Sequence, residues 1–285
     1  MSRSRCMANL KHAIKQGIVA LKAKNIQPVM QAVGDECLLK GKTALVVGGS
    51  GGIGKAVAKA FLKNGANVVI AGTRRAKVDK VVLELGGNCA GVVVDLAEPE
   101  TFSKVIDEAV AFYGPINILV NSAGVHTEDV SMGGFLDFSV EEYDRILDIN
   151  LRGVYFMVQS VAKRMISDKV SNGHILIVSS SAGNEPAWSP YRVSKWGLKG
   201  ITEGMASALV PHGIVVNAIA PGSTATPLLG VEKGDSISAE DNRLGRFAMP
   251  EEIAEFAVML ASPMGDMVVG DTLYVSGGRG VCDIR

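Results

Sequence analysis

The chain has 285 residues, 47 % of them hydrophobic, and its 29 Lys and Arg balance 29 Asp and Glu for a formal net charge of zero. A neutral chain lacks the basic face that neutralising phosphates requires, and 5 % aromatics leave little for base stacking, so no nucleic-acid partner is expected. The four cysteines and four histidines are scattered without C-x-x-C or H-E-x-x-H spacing, which predicts a reducing, cytoplasmic setting and neither disulfide framework nor metal; no uncharged apolar run reaches the ~18 residues of a membrane span.

Residues 1–38 read as a basic arm and linker. No Asp or Glu occurs before Asp35, and Leu10, Ile14, Gly17, Ile18 and Leu21 share one face at helical spacing, so 8–24 is expected to be an amphipathic helix. It fits either a transit peptide or an arm packed on its own domain or a neighbouring subunit. From 39 onward a catalytic domain is expected.

Its first unit is a strand at 43–48, a glycine-rich turn and a helix at 53–64. The turn, "VVGGSGGIGKA" (46–56), satisfies four patterns at once. It reads as the G-x-G-x-x-G of a dinucleotide fold, as a G-x-S-x-G hydrolase elbow centred on Ser50, as a triphosphate loop lacking its hydroxyl at Ala56, or as a looser spacing of Gly48, Gly52 and Gly54. All four predict strand, turn and helix, so the local sequence does not choose. Further strands are expected at 67–72, 91–95, 116–121, 174–180, 213–220 and 272–278, with helices at 76–85, 99–113, 139–166, 188–210 and 250–262. Near-continuous apolar strands alternating with helices predict a single doubly wound α/β domain of Rossmann type, with a seven-stranded parallel sheet covered on both faces. The hydrolase reading demands a downstream acid and histidine for which no pair is evident.

The stretch "SSSAGNEPAWSPYRVSKWG" (179–197) carries the chemistry. Tyr191 and Lys195, four apart on a predicted helix, project from one face, and Ser180 lies at the mouth of the preceding strand. A free phenol has a pKa near ~10, and a nearby ammonium favours the phenolate. Tyr191 is then expected to exchange a proton with an alcohol or carbonyl oxygen that Ser180 holds.

These motifs together resemble the short-chain dehydrogenase/reductase family over essentially all of 39–280. "GGSGGIG" is similar to that family's T-G-x-x-x-G-x-G loop, with Val47 in place of the usual threonine; the resemblance selects the looser glycine spacing. "NSAG" (121–124) is similar to N-N-A-G, with Ser122 as the departure. The resemblance implies a catalytic tetrad of Asn150, Ser180, Tyr191 and Lys195, with Ser179 and Ser181 as alternatives to Ser180. It implies cofactor contacts from Gly48, Ser50, Gly52, Ile53, Gly54, Asp95, Leu96, Asn121, Ala123, Gly124, Pro221, Gly222 and Thr226, besides Tyr191 and Lys195. It also implies assembly into a homotetramer or homodimer through the closing helix and strand.

At the end of the second strand, "VVIAGTRRAK" offers Thr73 and Arg74 and no acid. Since a carboxylate there would select the ribose hydroxyl of NAD and a guanidinium pairs with a 2′-phosphate, NADP(H) is expected, with NAD(H) as the alternative. The substrate is expected to be a small-molecule carbonyl or alcohol: a 3-oxoacyl thioester by family analogy, or a bulky apolar ketone such as a hydroxysteroid. Its pocket is expected from 126–134, 184–189 and 223–245, with Met132, Trp188, Leu228 and Leu229. A catalytically silent regulatory or scaffold protein on the same fold is the alternative function.

Overall fold

The computed structural model describes residues 37–126, 132–231, 235–239 and 242–282; the helix expected at 8–24 lies outside them, as does the side chain of Met132. Seven strands form one parallel sheet: β1 (Thr43–Val47), β2 (Asn67–Gly72), β3 (Cys89–Val93), β4 (Ile118–Asn121), β5 (Gly173–Val178), β6 (Ile214–Pro221) and β7 (Thr272–Val275). Their spatial order is β3-β2-β1-β4-β5-β6-β7. The order reverses between β1 and β4, so their carboxyl ends open a crevice where such sheets hold ligands.

Alternation along the strands builds two cores. Leu45, Val47, Val69 and Ala71 face α3 (Phe102–Tyr113), α5 (Val154–Ser167) and α6 (Pro190–Leu209). Ala44, Val46, Val68 and Ile70 face α1 (Gly52–Lys63), α2 (Arg75–Leu85) and α7 (Pro250–Ala261). Both faces are thereby covered, which is why the strands read as unbroken apolar runs. Among the described residues no helix is long and apolar enough to cross a membrane.

Three expectations need correction. The third strand starts at Cys89 rather than 91, because Cys89 and Ala90 pair with Val68 and Val69 and are buried although a polar Asn88 precedes them. The fifth strand stops at Val178, and Ser180 instead caps a single turn over Ser181–Asn184. The long helix expected at 139–166 is broken into α4 (Val140–Leu147), a π-turn at Asp148–Gly153, and α5. The apolar period runs through the break, so it left no mark in the sequence pattern, yet such bulges commonly sit at functional sites.

Gly48 closes the first turn at φ +80°, and a Cβ there would sit 2.6 Å from the Ala123 nitrogen. Gly48→Ala is therefore expected to lose at least about 1–2 kcal/mol from the left-handed backbone alone, read as a lower urea midpoint at unchanged slope.

Candidate active site

The crevice is lined first by the glycine loop. Gly48 donates to the Ala71 carbonyl at 2.8 Å, and Gly54 must lack a side chain because a Cβ would collide with the Gly48 carbonyl. A Cβ on Gly52 would meet the Thr226 methyl at 2.5 Å, so the loop after β6 closes directly over the turn. Ile53 is half-buried at the start of α1. The N-cap, Gly51, supplies no side chain and the first turn holds no acid, which leaves the helix N–H groups available to an anion. Ser50 lies across the end of β2, where a Cβ on Gly72 would come 2.9 Å from its hydroxyl. It is thus part of the turn at the strand end.

Thr73 and Arg74 stand exposed just beyond β2. Arg75 is occupied: it donates to the Gly91 carbonyl at 3.2 Å and faces Asp79 at 3.6 Å and Glu108 at 3.8 Å. Arg74 makes no ion pair among the described residues, so of the two arginines it is the one with an uncommitted guanidinium. After β3, the Asp95 carboxylate accepts from the Ala97 N–H at 2.9 Å, and buried Leu96 rests against Gly153 of the π-turn.

Asn121 ends β4 with 1 % exposure, and neither its amide nitrogen nor its oxygen has a hydrogen-bond partner. A buried unpaired amide costs about 1–3 kcal/mol, a price met when a molecule from outside the chain completes it. Ala123 and Gly124 follow along the crevice. On its far side Pro221 ends β6, Gly222 donates to the Val275 carbonyl at 3.1 Å, and the Thr226 hydroxyl turns back to the Thr224 carbonyl at 3.3 Å. A glycine cradle, an uncapped helix end and an orphaned amide along one crevice fit a dinucleotide with its pyrophosphate on α1.

The four residues of the expected tetrad converge beside this crevice. Asn150, in the π-turn, donates to the Val125 carbonyl and accepts from the Val125 N–H, both at 2.8 Å, and its nitrogen also reaches Ser194 at 3.3 Å. A Cβ on Gly124 would lie 3.2 Å from the Asn150 oxygen and 3.8 Å from the Lys195 ammonium, so amide and cation border the same residue. Lys195 is 5 % exposed, and its ammonium donates to the Val178 carbonyl at 3.3 Å. It stands 5.5 Å from the centre of the Tyr191 ring. Ser180 stands near enough to the Tyr191 phenol to lower its pKa, and its hydroxyl also accepts from the Ala182 N–H at 3.2 Å. The other two serines point away: Ser179 donates to the Lys195 carbonyl at 3.5 Å and Ser181 to Glu185 at 3.4 Å.

Burial pulls the Lys195 ammonium down to about 8. Burial pushes the Tyr191 phenol above its ordinary value, opposed by the Ser180 hydrogen bond and by Arg279 and Arg192, and reinforced by Glu185. In the chain by itself removal from water therefore outweighs the groups that lower the phenol; the lowering expected from Lys195 included the positive charge of an oxidised nicotinamide.

Of the residues expected around a substrate, Leu228 and Leu229 are exposed on a one-turn helix after Thr226. Trp188 is held between Phe138, stacked with ring centres 6.4 Å apart, and the Arg192 guanidinium at 5.3 Å. His126 lies over Tyr191 with ring centres 4.1 Å apart. Its contact, and the ion cluster at Glu185, were not legible as site features, since the partners are far apart in sequence.

Comparison with known proteins gives consistent relatives. The family described as enoyl-(acyl carrier protein) reductase matches residues 48–279. A 3-oxoacyl-[acyl-carrier-protein] reductase of Thermotoga maritima is 34 % identical over 84 % of this chain and 98 % of its own. Human dehydrogenase/reductase SDR family member 4 is 34 % identical over 84 % and 88 %. The structure of a Brucella melitensis 3-ketoacyl-(acyl-carrier-protein) reductase complexed with NADH superposes with a TM-score of 0.77 at 31 % identity, covering 85 % of this chain and 99 % of that one.

Removing the Asn150 side chain would leave both the N–H and the C=O of Val125 unpaired. Asn150→Ala is expected to cost about 2–4 kcal/mol in denaturant unfolding, a loss that Asn150→Asp would only partly avoid because it keeps an acceptor but no donor.

Proposed function

The chain belongs to the short-chain dehydrogenase/reductase family and is an oxidoreductase acting on CH–OH groups; on that premise we propose that it interconverts a ketone and a secondary alcohol with Tyr191 as acid and base. The observation that carries this reading is the Tyr191 phenol, with Ser180 acting on it, beside the Lys195 ammonium and the Asn150 amide. A reduced nicotinamide dinucleotide, when bound, supplies the hydride.

The residues of this chain do the rest. Gly48, Ser50, Gly52, Ile53 and Gly54 would hold the pyrophosphate at the start of α1, and Asn121, with Ala123 and Gly124, would meet the dinucleotide in the middle of the crevice. Asp95 and Leu96 would hold the adenine, while Pro221, Gly222 and Thr226 would hold the nicotinamide end. In reduction the Ser180 hydroxyl donates to the substrate carbonyl oxygen. Tyr191 gives that oxygen its phenolic proton, and the Lys195 charge steadies the phenolate that remains. In oxidation the phenolate takes the proton back. A phenol raised by burial is a retained proton donor at neutral pH, which suits the reductive direction.

NADP(H) is the favoured cofactor because Arg74 is uncommitted and no acid occupies the end of β2; the NADH bound by the Brucella relative keeps NAD(H) as the competitor. Arg74→Ala is expected to weaken NADPH saturation about tenfold or more and leave NADH nearly unchanged. Equal effects on both would contradict the charge argument.

The favoured substrate is a 3-oxoacyl thioester, supported by the names of the relatives and by the exposed Leu228 and Leu229 at the mouth. The half-exposed β7 edge supports assembly into a dimer or tetramer through that side.

The deciding assay follows nicotinamide absorbance over 3-oxoacyl, enoyl and steroid substrates. Tyr191→Phe is expected to lower turnover about 10²–10⁴-fold with cofactor binding intact. Reduction by the native chain is expected to be flat below pH 8 and to fall above it, as Lys195, with its pKa of about 8, loses the charge that steadies the phenolate. A rate that climbs steadily to pH 10 would contradict that role.

A further inference from the structure

Glu185 lies outside the tetrad, yet it joins four separate segments beside it. One carboxylate oxygen is ion-paired with Arg192 at 2.8 Å, in the first turn of α6, and the other accepts from Arg279 at 3.0 Å, beyond β7. Ser181 donates to the same carboxylate, and the Glu185 carbonyl accepts from the Trp196 indole at 2.6 Å. Arg279 in turn donates to the Ser223 hydroxyl at 2.8 Å, on the loop that leads to Thr226. The carboxylate is mostly buried, its side chain 13 % exposed, so its bonds to two guanidiniums are worth more than surface ion pairs and leaving one partner alone is costly.

The C-terminal segment also meets the serine turn through its backbone. Asn184 donates to the Gly280 carbonyl at 2.6 Å, and a Cβ on Gly280 would lie 2.5 Å from the Ser181 carbonyl. On its other side the turn rests on α6, where a Cβ on Gly183 would lie 2.7 Å from the Lys195 carbonyl. The turn that presents Ser180 is thus pressed between the helix carrying Tyr191 and Lys195 and the tail carrying Arg279.

We propose that Glu185 and Arg279 are positioning residues for the Ser180–Tyr191 pair, through which the C-terminal segment 276–282 becomes part of the active site. The proposal rests on the ketone-reductase reading for its effect on turnover, but its effect on the phenol does not depend on any substrate. The groups that act on that phenol are Ser180, Lys195, His126, Glu185, Arg192 and Arg279. Glu185 raises its pKa while Arg279 and Arg192 lower it. Neutralising the acid and neutralising the base must therefore move the phenol in opposite directions, a signature that general loosening of the fold does not produce.

The experiment compares Glu185→Gln, Arg279→Gln and Arg279→Lys in the full chain. The Tyr191 ionisation is read by ultraviolet difference titration against Tyr191→Phe, and turnover by nicotinamide absorbance. The phenol is expected to titrate lower in Glu185→Gln, higher in Arg279→Gln, and near the parent in Arg279→Lys. Turnover is expected to fall about tenfold or more in the two Gln variants, with the cofactor KM within about two-fold, as a shift in a reacting pair of less than an ångström produces. Parent-like titration and turnover in both Gln variants would overturn the proposal, as would shifts of the same sign. If Glu185→Gln does not fold, Arg279→Gln, on the tail beyond the sheet, carries the test alone, and an unmoved titration there overturns it. A native chain that reduces no ketone, with opposite shifts in the titration, would instead sink the reductase reading and leave the positioning proposal standing.

Discussion

Taking an ammonium out of water is expensive, and the site is arranged around the one at Lys195. It is almost wholly buried and is held by the carboxyl end of β5 through the Val178 carbonyl. Burial has lowered its pKa to about 8, which keeps it charged at neutral pH with little to spare. Around it, the π-turn delivers Asn150, α6 delivers Tyr191, and the turn after β5 delivers Ser180. Each of these pieces is irregular or terminal in its element. A site assembled from a bulge, a first helical turn and a strand end has its geometry set by tertiary packing, which is why the clamp of Asn150 on Val125 and the ion cluster at Glu185 matter.

The phenol shows how two effects compete. Ser180, Arg279 and Arg192 lower its pKa, but removal from water raises it more. The neutral phenol is a donor in waiting. In the proposed reaction an oxidised nicotinamide, when bound, would add a positive charge that favours the phenolate.

Much of the sheet was legible because both its faces are buried and its strands are short apolar runs bounded by glycine. The tetrad was legible because Tyr191 and Lys195 are one helical turn apart, and Asn150 and Ser180 fall in recognisable motifs. What stayed hidden is physically of one kind. The π-turn preserves the apolar period, the Asn121 orphan appears only once its neighbours are placed, and the Glu185–Arg279 contact joins residues 94 apart. His126 over Tyr191 likewise comes from two elements, the β4 exit and α6, that meet only in the folded chain. The packing of Trp188 between Phe138 and Arg192 is also visible only in the folded chain.

The central claim is that a half-buried phenol, steadied by an ammonium, and a serine hydroxyl meet one substrate oxygen at the β1–β4 crevice. A crystal structure of the chain with an oxidised dinucleotide and an alcohol product tests it most directly. The account predicts the product oxygen within about 2.6–3.2 Å of both the Tyr191 and Ser180 oxygens, with the reacting carbon over the nicotinamide. A product oxygen bound elsewhere, or a phenol and a nicotinamide opening onto separate cavities, would contradict it.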